Sequence, residues 1–377
     1  MFIFVSEMHY SFNDDETVLT LEGNVNGTFT VASMISNKKA SKVKRIDLTN
    51  VGTNNLTDMW RMFANCTSLE TIEFPLSFDT SKVEDMAELF ENCVNLKRIV
   101  FSESFDTSSV NCMYAMFKNC SSLESIEFPR LFDTYVVTDM QSMFDGCSSL
   151  KHIRTRRAFD TAAVVYMEAM FYNCYLLESV DIIKAFDTSN VIGMMSMFHD
   201  CLSLKKIDIS SFDVAKVKTM NSMFSNCANV EVIKFPSVFD TTNVEDMAYM
   251  FDQCKSLKKV IMPNTFVTTK CVFANGMFNG CESLETLVIP RTRFDECDMD
   301  FFIDDCRSLR TIEMPSLNIE CLLAAKHIVE DGDLKECQIT ISKKYRHKVD
   351  ILCNAFNVNE ENITLAGFWY KFLHLLV

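Results

Sequence analysis

Glycine and proline are scarce in this chain, nine and six of 377 residues. That scarcity excludes a linker-rich or low-complexity protein. Tryptophan occurs twice, and the six histidines form no cluster. Cys271, Cys297 and Cys306 do not stand at zinc-site spacing either, so the sequence supports no metal centre. A P-loop, a G-x-G-x-x-G after a strand, an H-E-x-x-H and a G-x-S-x-G are all missing. The expectation is therefore no cofactor, no metal and no enzymatic activity. Basic charge is short as well: 36 Lys and Arg stand against 51 Asp and Glu, a net charge of −15. An acidic chain of this kind disfavours nucleic acid and anionic membranes as partners. No apolar run is long enough to cross a bilayer, since ITLAGFWYKFLHLLV is interrupted by Lys371 and His374. The opening MFIFVSEMHYSFNDDE has no basic n-region, and its apolar run is too short and mixed for a signal peptide.

What the chain does have is cysteine and a period. Ten of its 16 cysteines, at 66, 93, 120, 147, 174, 201, 227, 254, 281 and 306, recur every 27 residues apart from one step of 26 and a final step of 25. Self-similarity at that period means a solenoid, whose units bury their apolar faces only by stacking. Cysteines at one repeat position read as a buried ladder rather than as a disulfide framework. In-register neighbours stand about 4.8 Å apart. Distance alone leaves bridges open, but parallel Cβ vectors disfavour them, and free cysteine packs as a small hydrophobe. Reduced thiols favour a reducing compartment.

One unit, Cys66 to Asn92, shows the expected anatomy. S-L-E-T-I-E-F reads as a short strand with Leu69, Ile72 and Phe74 turned inward, ended by Pro75. Phe78-Asp79-Thr80-Ser81 recurs as F-D-T and reads as a helix start, with Thr80 or Ser81 as N-cap and Ser81 to Glu84 as a capping box. Val83, Met86, Leu89, Phe90 and Cys93 then fit one face of a short helix. At that spacing the methionines of the M-x-x-M-F stripes are core rather than an exposed groove. The residue before each cysteine (Asn65, Asn92, Asn119, Gly146, Asn173, Asp200, Asn226, Gln253, Gly280, Asp305) suits a left-handed helix end, Gln253 excepted.

Residues 1–41 fall outside the repeat and read as an N-terminal β cap, with a hairpin signal at Asn24 to Gly27. Residues 42–317 carry the repeats, about ten to eleven rungs. Residues 318–377 read as an α/β C-terminal cap: helix Leu322 to Glu330, strand Gln338 to Ser342, helix Tyr345 to Phe356, then a strand and an aromatic tail. Phe368, Trp369, Tyr370 and Phe372 of that tail either seal the last rung or dock a partner.

The string C-x-S-L-x-x-I-x-F-P-x-x-F-D-T-S-x-V-x-D-M-x-x-M-F-x-N-C resembles the BspA-like leucine-rich-repeat proteins. It is closest to their FDTS/V-x-x-M-x-x-M-F variant, found in bacterial and mycoplasma surface lipoproteins. The resemblance covers about residues 42–315. It implies an α/β, right-handed leucine-rich-repeat-like solenoid with a single parallel sheet, and a role in adhesion or protein binding rather than catalysis. The chain departs from that pattern in carrying no signal peptide and no lipobox cysteine near the start.

In such a stack the residues a partner reads are those pointing out of each rung. One outward position runs Lys44, Glu70, Lys97, Glu124, Lys151, Glu178, Lys205, Glu231, Lys258, Glu285, Arg310, and its sign alternates without a break. A column of one sign repels itself, so this alternation reads as a structural charge ladder that pins register. The next position is basic on every second rung from the first to the ninth: Arg45, Arg98, His152, Lys206, Lys259, with small or apolar residues between, among them Val232. Arg154, Arg156 and Arg157 widen the row at its middle. Two readings stay open. Either this row engages an acidic protein surface, with Arg45, Arg98, His152, Arg154, Lys206 and Lys259 as candidate contacts, or glutamates of the ladder neutralise it laterally. The expected function is a non-catalytic protein-interaction platform, intracellular or particle-associated. The alternatives are a cell-surface adhesin of BspA type and a purely structural part of a larger assembly.

Overall fold

The computed structural model describes residues 8–26, 28–35, 37–157, 159–291, 293–325, 328–329 and 334–366. The chain divides into two compact units, Met1–Asn190 and Val191–Val377, each a pile of β-solenoid turns. In the first unit β1 (His9–Phe12), β2 (Val18–Asn26), β3 (Arg45–Asn55), β4 (Thr71–Glu73) and β5 (Arg98–Val100) form one sheet in chain order. Two short helices, α1 (Val31–Met34) and α2 (Asn37–Ala40), connect β2 to β3. A parallel pair, β6 (Ser125–Phe128) and β7 (His152–Thr155), follows, and a 3-10 helix, Asp181–Ala185, stands where the next rung expects a strand. In the second unit β8 (Lys206–Asp208) pairs with β9 (Val232–Lys234). A five-stranded parallel sheet then runs β10 (Lys259–Ile261), β11 (Thr286–Val288), β12 (Thr311–Glu313), β13 (Gln338–Ser342), β14 (Ile363–Ala366). Helix α3 (Ile319–Ala324) precedes β13, and a 3-10 turn and α4 (Val349–Phe356) lie between β13 and β14.

The strands fall where alternation puts them: Leu69, Ile72 and Phe74 are buried while Glu73 is exposed. The rest of each turn corrects the expectation of a short helix. No α-helix follows F-D-T in any of these turns; Met59 to Cys66 and its equivalents are chains of tight turns joined to the next rung. Met86 accepts from the Leu89 N–H, Glu88 from Glu91 and Phe90 from Cys93, the three-residue closures of consecutive β-turns. Every second N–H leaves the turn instead. Met59, Arg61, Phe63 and Asn65 donate to the carbonyls of Asp85, Ala87, Leu89 and Glu91 at 2.7–3.0 Å. Two residues per turn take the left-handed conformation to allow this, for example Glu88 (φ 55°) and Asn92 (φ 60°). The second of the pair is the residue before each cysteine, Gln253 included (φ 57°).

The energetics of that trade are near balance. Two left-handed residues cost about 1–2 kcal/mol each. Four lateral backbone bonds return about 1 kcal/mol each. The core then decides. Phe63, Phe90, Phe117, Phe144 and Phe171 stack face to face with centroids 5.4–5.8 Å apart in the first unit. Phe198, Phe224, Phe251 and Phe278 do so in the second, at 5.1–5.7 Å. Beside them the repeat cysteines are buried and donate their S–H to a phenylalanine carbonyl of the preceding rung, Cys93 to Phe63 at 3.1 Å and Cys254 to Phe224 at 3.2 Å. Burial pushes the Cys66 thiol up to about 12, which keeps it protonated. All sixteen cysteines are unbridged.

The F-D-T segment caps no helix. Thr80 is fully buried, its hydroxyl donating to the Asp106 carbonyl at 2.7 Å and accepting the Asp106 N–H at 2.8 Å. Thr107 repeats the pattern with Asp133. The aspartate turns back instead, Asp79 accepting the Ser81 N–H at 2.9 Å. A buried threonine thus stitches each rung to the next where a hydrophobic residue would leave two backbone groups unpaired.

At the N-terminus the hairpin lies earlier than Asn24 to Gly27. Asn13 accepts the Val18 N–H at 2.7 Å and Asp15 accepts from Thr17, which closes β1 onto β2. Asn24 belongs to β2, paired parallel with β3, and Val31–Met34 is helical because Thr30 caps it by accepting the Ser33 N–H. At the other end the helix begins at Ile319 rather than Leu322, since Asn318 supplies the cap by accepting from Glu320. The aromatic residues Phe368, Trp369, Tyr370 and Phe372 lie outside the described residues.

Candidate functional site

The outward faces of the strands hold the residues singled out from the sequence. In the first unit the register aligns Arg45 with Thr71 and Thr71 with Arg98, and separately Ser125 with His152. In the second, Lys206 aligns with Val232, and Lys259 with Thr286 and then Thr311. Side chains two apart on a strand share a face, so a second outward row lies beside the first. It runs Asp47, Glu73, Val100, Glu127, Arg154 in the first unit and Asp208, Lys234, Ile261, Val288, Glu313 in the second. Arg154 belongs to this second row, in register with Glu127.

Charge is handled differently in the two units. In the first, Glu70 reaches both Lys44 and Lys97 at 3.1 Å, and Lys151 reaches Glu124 at 3.2 Å. These lysines hold the Glu70 carboxyl below the usual carboxylate range, Lys44 first by hydrogen bonding, then Lys97. Glu178 pairs with His152 at 3.8 Å rather than with Lys151. Arg156 bonds Glu103 at 2.7 Å and Arg157 bonds Asp133 at 2.6 Å. Arg45 lies close enough to Asp47 to help hold its carboxyl down, after the hydrogen bonds from Thr49. Among the described residues Arg98 makes no ion pair; Glu73 of the preceding strand stands in register with Val100 of the Arg98 strand.

In the second unit the ladder keeps its backbone bonds, with Glu231 N–H to Lys205, Glu285 to Lys258 and Arg310 to Glu285 at 2.8–2.9 Å. Its side chains do not close. Among the described residues Lys205, Lys206, Lys258 and Lys259 form no ion pair, and on these strands only Lys234 finds an acid, Asp208 at 3.3 Å. Where the first unit places Glu73 and Glu127, the second places Ile261 and Val288. Val232 and Ile261 are each 49% exposed. Together with Val288, Lys258, Lys259 and Glu313 they line an open groove of about 980 Å³ on β9 to β12.

The groove sets an apolar strip beside Lys258 and Lys259, with Glu231 and Glu313 also in its lining. It can hold an apolar side chain while the lysines meet carboxylates. Val232 was visible in the sequence as an apolar residue between cations, but Ile261 and Val288 sit in the second outward row. Reading both outward rows together, rather than one, is the signal that finds them. Among the described residues no His, Cys, Asp and Glu group in a way that could hold a metal ion, and no helix is long and apolar enough to cross a membrane.

Two family profiles match the chain. One is described as "Mycoplasma protein of unknown function, DUF285" and covers residues 5–74, 29–156 and 138–235. The other, described as "BspA type Leucine rich repeat region (6 copies)", covers 191–322. No curated protein matches. Among solved structures, a leucine-rich repeat protein from Bacteroides ovatus is 17% identical, with 90% of this chain and 100% of that one covered and a TM-score of 0.45. A leucine-rich repeat protein from Eubacterium ventriosum is 16% identical, covering 83% and 90%, with a TM-score of 0.43. A leucine rich cell surface protein from Faecalibacterium prausnitzii is 19% identical, covering 83% and 94%, with a TM-score of 0.34.

Proposed function

This chain belongs to the DUF285 family of Mycoplasma proteins of unknown function and carries BspA-type leucine-rich repeats, and from that premise we propose that it is a non-catalytic platform that binds an acidic protein surface through the outward face of its strands. The repeat fold is a typical scaffold for protein interaction or surface adhesion, and solenoids of this kind are generally non-catalytic. The observation that carries the acidic-partner reading is that Lys205, Lys206, Lys258 and Lys259 form no ion pair among the described residues, and that Lys258 and Lys259 line a groove with the exposed apolar side chains Val232 and Ile261. Acidic groups on a partner would find cations there that no intramolecular carboxylate already holds, which favours fast, oriented encounter.

The test is capture of partner from the native source by wild-type chain and by a triple reversal, Arg98→Glu, Lys206→Glu and Lys259→Glu. Loss of one specific captured protein by a variant with unchanged circular dichroism supports the proposal; equal capture contradicts it.

The location proposed with this function is intracellular or particle-associated, on the strength of sixteen unbridged, mostly buried thiols. The second reading, a surface adhesin of BspA type, is favoured by the repeat class. Titrating thiols under denaturant in native material separates the two. Sixteen reduced cysteines fit the first, and bridges or attached glycans fit the second.

A further inference from the structure

One buried column changes its chemistry near the end of the second unit. The position after F-D-T holds valine in turn after turn: Val191, Val217 and Val244 here, as Val83, Val110, Val137 and Val164 in the first unit, all fully buried. The next two turns put Cys271 and Cys297 in that position, 2% and 4% exposed. Their sulfurs meet at 3.5 Å, Cys297 donating to Cys271. Cys271 in turn donates to the Phe273 carbonyl of its own turn at 3.3 Å, whereas the ladder cysteines send their S–H to a phenylalanine carbonyl of the preceding rung. The two backbones are also tied, because Asp298 N–H donates to Val272 and Ala274 N–H to Asp298, both at 2.8 Å. Adjacent strands of such a pile run about 4.8 Å apart, inside the Cα separation a disulfide accepts. A rotation about χ1 that closes the sulfurs by about 1.5 Å completes the bond.

We propose that Cys271 and Cys297 are an oxidation site that closes into a disulfide with a neutral peroxide as oxidant. Cys297 is the thiol the oxidant meets, because its residue lines an open cavity of about 740 Å³ together with Asp298, Asp300 and Glu320. Those carboxylates repel anionic disulfides such as oxidised glutathione and leave hydrogen peroxide unhindered. In the first step the Cys297 sulfur takes one oxygen from hydrogen peroxide, giving a sulfenic acid and water. In the second the Cys271 thiol attacks that sulfur, forming the S–S bond and expelling the second water. Two thiols lose two electrons and one peroxide gains them. The contact with Cys271 and burial hold Cys297 as the thiol, so closure is slow at neutral pH and speeds as pH rises. The bond joins the turns that carry Ile261 and Val288.

The experiment uses the full chain, reduced and then exposed natively to hydrogen peroxide. Thiols are counted under denaturant, and linked peptides are mapped without reduction. The expected result is loss of two of sixteen thiols, one linked pair at Cys271–Cys297, and a thermal midpoint several degrees higher that dithiothreitol reverses. In Cys271→Val, which restores the residue of the other turns, Cys297 stops at the sulfenic acid and labels with dimedone. Sixteen surviving thiols would overturn the proposal. So would a link from Cys297 to Cys321, which lines the same cavity, or one between Cys281 and Cys306.

Discussion

The two units present opposite outward faces built from the same repeat. In Met1–Asn190 much of the charge is answered within the unit: Glu70 is shared by Lys44 and Lys97, Arg156 and Arg157 are held by Glu103 and Asp133, and Glu178 takes His152, while Arg98 makes no ion pair among the described residues. In Val191–Val377 the ladder alternates just as regularly in sequence, yet Lys205, Glu231, Lys258 and Glu285 stay apart and the neighbouring row turns apolar at Ile261 and Val288. Alternation of sign therefore does not by itself guarantee a self-satisfied face. In the first unit the ladder carboxylate Glu70 reaches its lysines, and in the second the neighbouring row sets Ile261 and Val288 beside Lys258 and Lys259, which reach no carboxylate among the described residues.

That contrast breaks most visibly if binding does not follow it. Lys206→Glu with Lys259→Glu should cut partner capture at least about tenfold, ~1.4 kcal/mol or more. Arg45→Glu with Arg98→Glu in the first unit should leave capture nearly unchanged; an equal loss from both pairs would erase the distinction. Quantitative pull-down against the captured partner reads both. Next in size, Ile261→Asp in the apolar strip should weaken capture several-fold while folding stability stays within about 0.5 kcal/mol, as urea titration would show for an exposed side chain.

The backbone offers a comparison of opposite sign. Gly276 (φ 61°) and Ala169 (φ 54°) occupy the same left-handed position of their turns. Gly276→Ala should cost about 1–2 kcal/mol, because the left-handed conformation strains a Cβ. That Cβ would also lie 2.5 Å from the Tyr249 ring. Ala169→Gly should gain up to about 1 kcal/mol by the same logic. In a helix it would lose about that much. Chemical denaturation of the two variants distinguishes a chain of turns from a helix without any further structure. The smallest effect belongs to the ladder. Because the folded Glu70 carboxyl is held below its unfolded value, its contribution is present above the unfolded pKa and fades as pH falls through the folded one. Glu70→Gln should flatten a little of the acid side of the midpoint-versus-pH curve.

Much of this was legible in the residues. The 27-residue period, the inward Leu69, Ile72 and Phe74, the buried cysteine column and the left-handed residue before each cysteine all follow from spacing and residue type. The helix was misread for a physical reason. Val83, Met86, Leu89, Phe90 and Cys93 bury one side whether the chain coils or makes successive β-turns, so apolar spacing cannot tell them apart. The discriminating feature is the second left-handed position, occupied by Arg61, Glu88, Ala115, Ser142 and Tyr249 among others, and only Gly276 there carries a compositional sign. The threonine of F-D-T looks like a cap in the sequence because a cap and an inter-rung stitch use the same hydroxyl. On the outward face the ladder and the basic row are legible from the sequence, with Val232 among the latter, but Ile261 and Val288 stand in a further row two residues along each strand.

The most direct measurement is a lysine acetylation footprint with and without the captured partner, read peptide by peptide. The account predicts that the partner protects Lys205, Lys206, Lys258 and Lys259 while Lys44 and Lys97 label as before. Protection of Lys44 and Lys97 with the four lysines of the second unit still reactive would contradict it.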